Sequence, residues 1–252
     1  MNRQILWILL AAVAAWLAVE FSAQRLGDWV FYAAGALIVG LLVWTQRQMQ
    51  AQRGIISLLS EQCDPAAFLK AYEAEMAAVR TPEQLDLLRI NQAAGLCYAG
   101  EADKALRVLR SINFEGLQGM YRTHYYNNLV SVLILAGRDK EALRTAEKGR
   151  AYLEAEIRNR ELDTALLGTR GGLALLREER AEARSLFEEL LRRSPAPLMA
   201  ATAHLFLGRI ALAEARTAEA RSHFDKAAGQ GGQTLIAQLA RRAQEELPSA
   251  GE

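Results

Sequence analysis

AEARSLF at residues 181–187 returns at residues 218–224 as AEARSHF, displaced by 37 residues with a single change, from Leu186 to His223. Placed in register, the agreement extends upstream: GGLALLREERAEARSLFEEL at 171–190 lies beside GRIALAEARTAEARSHFDKA at 208–227. Two earlier segments join them. AGEADKALRVL at 99–109 and AGRDKEALRTA at 136–146 share Gly100 with Gly137 and Ala105 with Ala142. The alanines Ala105, Ala142, Ala183 and Ala220 are spaced by 37, 41 and 37 residues. Self-similarity at a period of roughly 20–50 residues is the mark of stacked supersecondary units.

Each unit reads as a pair of helices. In the last, Leu205, Gly208 and Leu212 form a helical stripe, residues 214–217 interrupt it, and Ala220, Phe224 and Ala227 resume at spacings of four and three. Such a hairpin is too small to bury its apolar face alone, so it must stack. The recurring alanines let the paired helices approach closely, while Phe187 and Phe224, one turn on, fill the space toward the next unit. Asp64 with Pro65, and Thr81 with Pro82 and Gln84, carry helix-start signals ahead of the repeats. After GQGG at 229–232, TLIAQLARRAQEEL places Leu235, Leu239, Ala243 and Leu247 on one face and reads as a capping helix. With 51% apolar residues and only five prolines, the chain has the vocabulary of an all-α protein.

The first 54 residues differ in kind. Residues 5–19 carry no polar side chain and residues 29–44 carry only the Tyr32 hydroxyl, which predicts two transmembrane helices at 5–21 and 28–45 joined by a tight turn. Arg3, Arg47 and Arg53 flank the pair, with Arg25 alone in the turn, so the positive-inside bias puts both ends in the cytoplasm. A second reading takes residues 1–23 as a cleavable signal peptide, with Phe21 poorly placed for its cleavage site. The domain plan is then a membrane hairpin and stalk at 1–54, a connector and entry helix at 55–81, repeats at 82–230, and a capping helix and tail at 231–252.

Charge and chemistry narrow the function. Four arginines and two acidic residues precede residue 55, leaving 26 basic against 27 acidic residues after it. A neutral body does not neutralise phosphates, which argues against nucleic acid as a partner. Cys63 and Cys97 have neither metal-site spacing nor the number for a disulfide framework. His124, His204 and His223 share no i, i+4 spacing, and no motif brings an acid, a base and a nucleophile together. The expectation is a non-enzyme with no metal and no cofactor. The segment MYRTHYYNNL at 120–129 concentrates interface-favoured side chains, with Arg122, Tyr126, Asn127 and Asn128 as candidate partner contacts.

HLFLGRIALAEARTAEARSHFDKAA at 204–228 resembles the tetratricopeptide repeat pattern at Leu207, Gly208, Ala220, Phe224 and Ala227, and GRDKEAL at 137–143 resembles its turn and second-helix opening. Pro195 falls where that family often ends a repeat, and the likeness covers about residues 82–230. The resemblance implies an α-solenoid of about four hairpins whose first helices line a concave groove, adding Asn91 to Asn128 as candidate contacts. Family members that clamp a peptide carboxylate carry basic residues where this chain has Leu87, Ala165 and Thr169, so such a clamp is not expected.

The functional expectation is a scaffold in a bacterial inner membrane, held in the bilayer through residues 5–45, with its groove in the cytoplasm and a membrane-associated protein or peptide as partner. An exported scaffold, and a subunit that self-associates as a homo-oligomer where Gly35 and Gly40 permit close helix approach, are the alternatives.

Overall fold

Capping residues set where several of the helices begin. Asp64 accepts the Ala67 amide at 2.9 Å, Thr81 accepts that of Gln84 at 3.3 Å and Asn159 that of Leu162 at 3.0 Å, while Pro65, Pro82 and Pro197 occupy the first helical turn. The computed structural model describes residues 12, 15, 29–155, 159–194 and 196–247. Among the described residues the chain is all-helical, in two compact units, Met1–Gly54 and Ile55–Glu252.

The first unit holds most of helix α1 (Trp29–Ser60). Its apolar side chains lie open, Leu37 at 75% and Trp44 at 58% exposure. The two expected transmembrane helices find no support here. Of the span at 5–21 only residues 12 and 15 are described, and among the described residues no helix is long and apolar enough to cross a membrane. The apolar run of this helix ends at Trp44: residues 29–44 make only about 24 Å of helix, against roughly 30 Å of hydrocarbon, before Thr45, Gln46 and Arg47 follow.

The second unit begins with the end of α1 and α2 (Pro65–Ala78). Four helical hairpins follow: α3 (Pro82–Tyr98) with α4 (Ala102–Arg110), and α5 (Met120–Leu135) with α6 (Asp139–Lys148); then, after the short α7 (Arg150–Leu153), α8 (Arg160–Leu176) with α9 (Arg180–Arg193), and α10 (Pro197–Ala213) with α11 (Thr217–Gln230). The first helices α3, α5, α8 and α10 pack one on the next. A final helix, α12 (Leu235–Glu245), lies against α10 and α11.

One turn geometry repeats through all four hairpins. Gly100, Gly137, Glu178 and Ala215, in the same register as the alanines, all adopt positive φ, at 83°, 67°, 64° and 57°. The amides that follow them, of Glu101, Arg138, Glu179 and Arg216, reach back to the carbonyls of Leu96, Leu133, Ala174 and Ala211 at 2.8–2.9 Å. This is the Schellman closure, which satisfies the last carbonyls of one helix and aims the next. Glycine adopts that backbone freely at two of the turns. At Glu178 and Ala215 the conformation persists at a cost of about 1–2 kcal/mol each, because the helices on either side over-determine it.

Packing within the hairpins is complementary. Ala105, Ala142, Ala183 and Ala220 are all fully buried at the crossings. A Cβ on Gly171 would meet the Phe187 ring at 2.9 Å and one on Gly208 the Phe224 ring at 2.5 Å, so each phenylalanine sits on a glycine of its own hairpin. Phe187 also stacks on Phe206 of the following first helix, with centroids 4.9 Å apart. In the first two hairpins the matching registers hold Ala93 with Leu109 and Val130 with Ala146, all buried. A larger residue on one helix goes with a smaller one on the other, keeping the crossing filled.

The capping helix does more than end the stack. Gln233 donates its amide to the Cys63 carbonyl at 3.0 Å, just beyond α1. Helix α12 also meets α3, and Ile236, Ala240 and Leu247 share a buried cluster with Leu59, Phe68, Tyr72 and Phe224. The last hairpin is thereby tied to the entry segment, and the second unit closes on itself. Of the expected stripe of Leu235, Leu239, Ala243 and Leu247, Leu247 is buried and Leu239 and Ala243 are partly buried against the same cluster, but the stripe is not the most buried one. Ile236, Ala237 and Ala240 are the fully buried positions, because the helix is wedged between two sets of neighbours rather than covering one face.

The glycine–phenylalanine match is testable by exchange. Gly208→Ala is expected to destabilise by about 1–3 kcal/mol through overpacking against Phe224. Combining it with Phe224→Leu, the pairing of the first hairpin, should cost less than the sum of the single changes in denaturant unfolding. Strict additivity would show that the two positions do not share one packing site.

Candidate functional site

The inner faces of α3, α5, α8 and α10 do not enclose an open groove. The end of α1 lies across them with Ile56, Leu59 and Ser60, leaving a cavity of about 260 Å³. Phe68, Leu198, Met199 and Phe206 give it an apolar side, and Asn91, His124, Asn127, Asn128, Ser131 and Thr169 a polar one. No Asp, Glu, Lys or Arg lines it. His124 is largely desolvated, and burial holds its imidazole below the usual value despite Glu161 nearby, so it is neutral at pH 7. The ion pairs lie elsewhere: Arg110 with Glu141 at 2.5 Å, Arg193 with Asp163 at 2.7 Å, and Arg184 with Glu214 and Glu219, both at 2.9 Å, join helices at the surface. Such pairs contribute about 0–1 kcal/mol each.

The polar side is a single hydrogen-bond chain whose direction is fixed at one end. Asn128 reaches the Ile90 backbone carbonyl at 2.8 Å, and a carbonyl only accepts, so the amide nitrogen must point there. Its oxygen therefore faces Asn127, which donates its own nitrogen at 3.3 Å. The Asn127 oxygen then accepts from the Thr169 hydroxyl at 2.6 Å. With its proton so used, Thr169 can only accept from Ser131, also at 2.6 Å. The chain runs from α8 through α5 to α3 and cross-links three first helices. It ends on a Ser131 oxygen that has spent its donor and keeps acceptor capacity.

The candidate contacts divide into two groups. Asn91, Asn127 and Asn128 come together at the cavity, with Asn91 donating to the Tyr72 hydroxyl at 3.0 Å. Arg122 and Tyr126 lie away from it. The Arg122 guanidinium donates to the Leu117 carbonyl at 2.7 Å and the Glu115 carbonyl at 3.2 Å, and covers the Phe114 ring. Tyr126 stacks on Tyr152 at 5.3 Å, edge-on to Phe114 and Tyr125, with Gly149 directly beneath. Both hold the irregular segment between the first two hairpins, whose turn at Phe114–Gly116 the repeat pattern did not foreshadow. Ser131, Thr202 and Phe206 were not singled out in the sequence, and Thr169 was named only as a position where a carboxylate clamp would carry a basic residue. Their signal was positional, since each lies on the inward stripe of a first helix.

The remaining chemistry is quiet. Cys63 and Cys97 are free and buried; burial raises both thiols, Cys97 to about 12, which keeps them protonated and weakly nucleophilic. Among the described residues no cluster of three or more His, Cys, Asp or Glu side chains is placed to hold a metal ion. No family model, curated protein or solved structure matches the chain.

His204 and His223 meet through their Nδ1 atoms at 3.0 Å, so one must donate and the other accept. The His223 side chain is only 17% exposed. Burial, then the neighbouring His223 and Lys226, lower His204 to about 4; burial lowers His223 as well, opposed by Glu219. The unfolded chain therefore binds more protons below about pH 6.5, and stability is complete above that value and falls as pH drops toward 4. One repeat earlier the same register holds Leu167 and Leu186. The double substitution His204→Leu with His223→Leu is expected to flatten the fall in melting temperature between pH 7 and pH 5; an unchanged pH profile would exclude the pair as its source.

Proposed function

We propose that the chain is a tetratricopeptide-like binding module rather than an enzyme, and that it works as a membrane-tethered adaptor for a protein partner. The observation that carries this reading is the cavity itself: four first helices and the end of α1 converge on a space of about 260 Å³ with hydrogen-bonding groups and no charge. Its one basic side chain, His124, is hydrogen-bonded to none of the cavity hydroxyls and no charged group is present to stabilise an ionic transition state, whereas apolar contact and fixed polar partners are what recognition needs. Because α1 already occupies part of the concave face, the partner enters with a small uncharged group, not with a long peptide laid along a groove.

Tethering is read from the apolar character of residues 5–45 and from the open Leu37, Val39, Leu41 and Val43 side chains. Confining the module to a layer at the bilayer raises the effective concentration of any partner that is also membrane-bound. In a bacterial inner membrane, the arginine asymmetry favours the cytoplasmic side for the module.

Photo-crosslinking residues placed at Met199 and Ala165 in the full chain, with Arg122 as the position away from the cavity, test the docking reading in membranes. The expected result is one protein captured from both cavity positions and absent at Arg122. Capture at Arg122 alone would move the docking surface to the outer aromatic cluster and refute the cavity.

A further inference from the structure

We infer that the group this cavity accepts is a tyrosine-type side chain of the partner, an uncharged aromatic ring whose hydroxyl donates to Ser131. The inference rests on the docking reading above and deepens it. Three independent observations carry it.

The first is charge. With no ionic side chain in the lining, a carboxylate, phosphate or ammonium entering the cavity would lose its hydration without a counterion, at a cost of several kcal/mol. The occupant is therefore uncharged. His124 adds no exception, being held neutral by its burial.

The second is polarity. The hydrogen-bond order anchored on the Ile90 carbonyl leaves Ser131 with its proton committed to Thr169. What Ser131 still offers is an acceptor, so the occupant must bring a donor. A hydroxyl extends the run of hydroxyls, Ser131 then Thr169, each bond polarising the next. A ring without the hydroxyl would leave that remaining acceptor capacity unused, which disfavours an analogue lacking the group by about the worth of one hydrogen bond.

The third is size and surface. A space of about 260 Å³ suits one large side chain. Its apolar part presents the rings of Phe68 and Phe206 and the thioether of Met199, partners suited to the faces and edge of an aromatic ring. Tyrosine is also among the residues that dominate interface energetics as a single buried anchor.

The test uses the full chain in detergent and three small probes, p-cresol, toluene and p-toluate, with affinities measured by calorimetry on wild type, Ser131→Ala and Ala165→Leu. For wild type, p-cresol is expected to bind about five- to tenfold tighter than toluene, the worth of one hydrogen bond, and p-toluate not to bind. Ser131→Ala should erase the preference for p-cresol while leaving toluene unchanged. Ala165→Leu, which narrows the cavity, should weaken both neutral probes.

Equal affinity for p-cresol and toluene, a preference that survives in Ser131→Ala, or tight binding of p-toluate would each overturn the inference. The wild-type comparison of the three probes stands even if a variant fails to fold. Loss of p-cresol binding alongside successful crosslinking from Met199 and Ala165 would reject the tyrosine anchor and leave the docking reading intact. Loss of both would reject the two together.

Discussion

The backbone hydrogen bond from Gln233 to the Cys63 carbonyl, with the apolar contact that surrounds it, decides what the rest of the second unit becomes. A stack of helical hairpins ordinarily has two ends and an open concave face. Here α12 turns back onto the segment after α1, and Phe68, Ile236, Ala240 and Phe224 bury one another across that seam. Cys63 sits at the seam in a left-handed conformation, φ 52°, and Gly232, φ 54°, comes so close that an added Cβ would lie 2.8 Å from the cysteine Cβ. A strained cysteine turn and a glycine turn fit together there. Because the seam holds the end of α1 in place, Ile56 and Leu59 stay across the first helices and a groove is reduced to a cavity.

The repeat itself was legible in the sequence because it reports a local rule applied four times. The alanines at 105, 142, 183 and 220 mark one helix crossing, and the turn residue five positions before each adopts the same backbone whether it is Gly, Glu or Ala. Periodicity exposes such rules. The seam was not legible, since Cys63 and Gln233 are 170 residues apart and neither type announces a partner. Half of the candidate site was visible for the same reason. Asn91 and Asn128 were read from the inward stripes, whereas Arg122, Tyr126 and Asn127 were chosen from one segment by residue type; Asn127 reaches the cavity, but Arg122 and Tyr126 hold an irregular segment together.

Charge is sorted by layer. The surface carries ion pairs between neighbouring helices, each of little individual worth, and the buried Asp86 carboxylate is paired with Arg89, while the cavity wall uses amides and hydroxyls in one directed chain. Neutral hydrogen bonds avoid the desolvation penalty that buried charges incur, and they fix the helices in register because each acceptor has one geometry that satisfies it. The same chain that holds α3, α5 and α8 together thus sets the polarity of the cavity wall. Helix register and cavity polarity draw on one set of atoms.

The amide hydrogen exchange of Gln233 tests the closure most directly. Its N–H is bonded to Cys63 across the seam and belongs to no helix, so it has no local source of protection. If the second unit is closed as described, this amide exchanges as slowly as the interior amides of α10, in the global unfolding regime. Exchange at the rate of an unstructured loop would show that the seam is open and that the concave face is a groove after all.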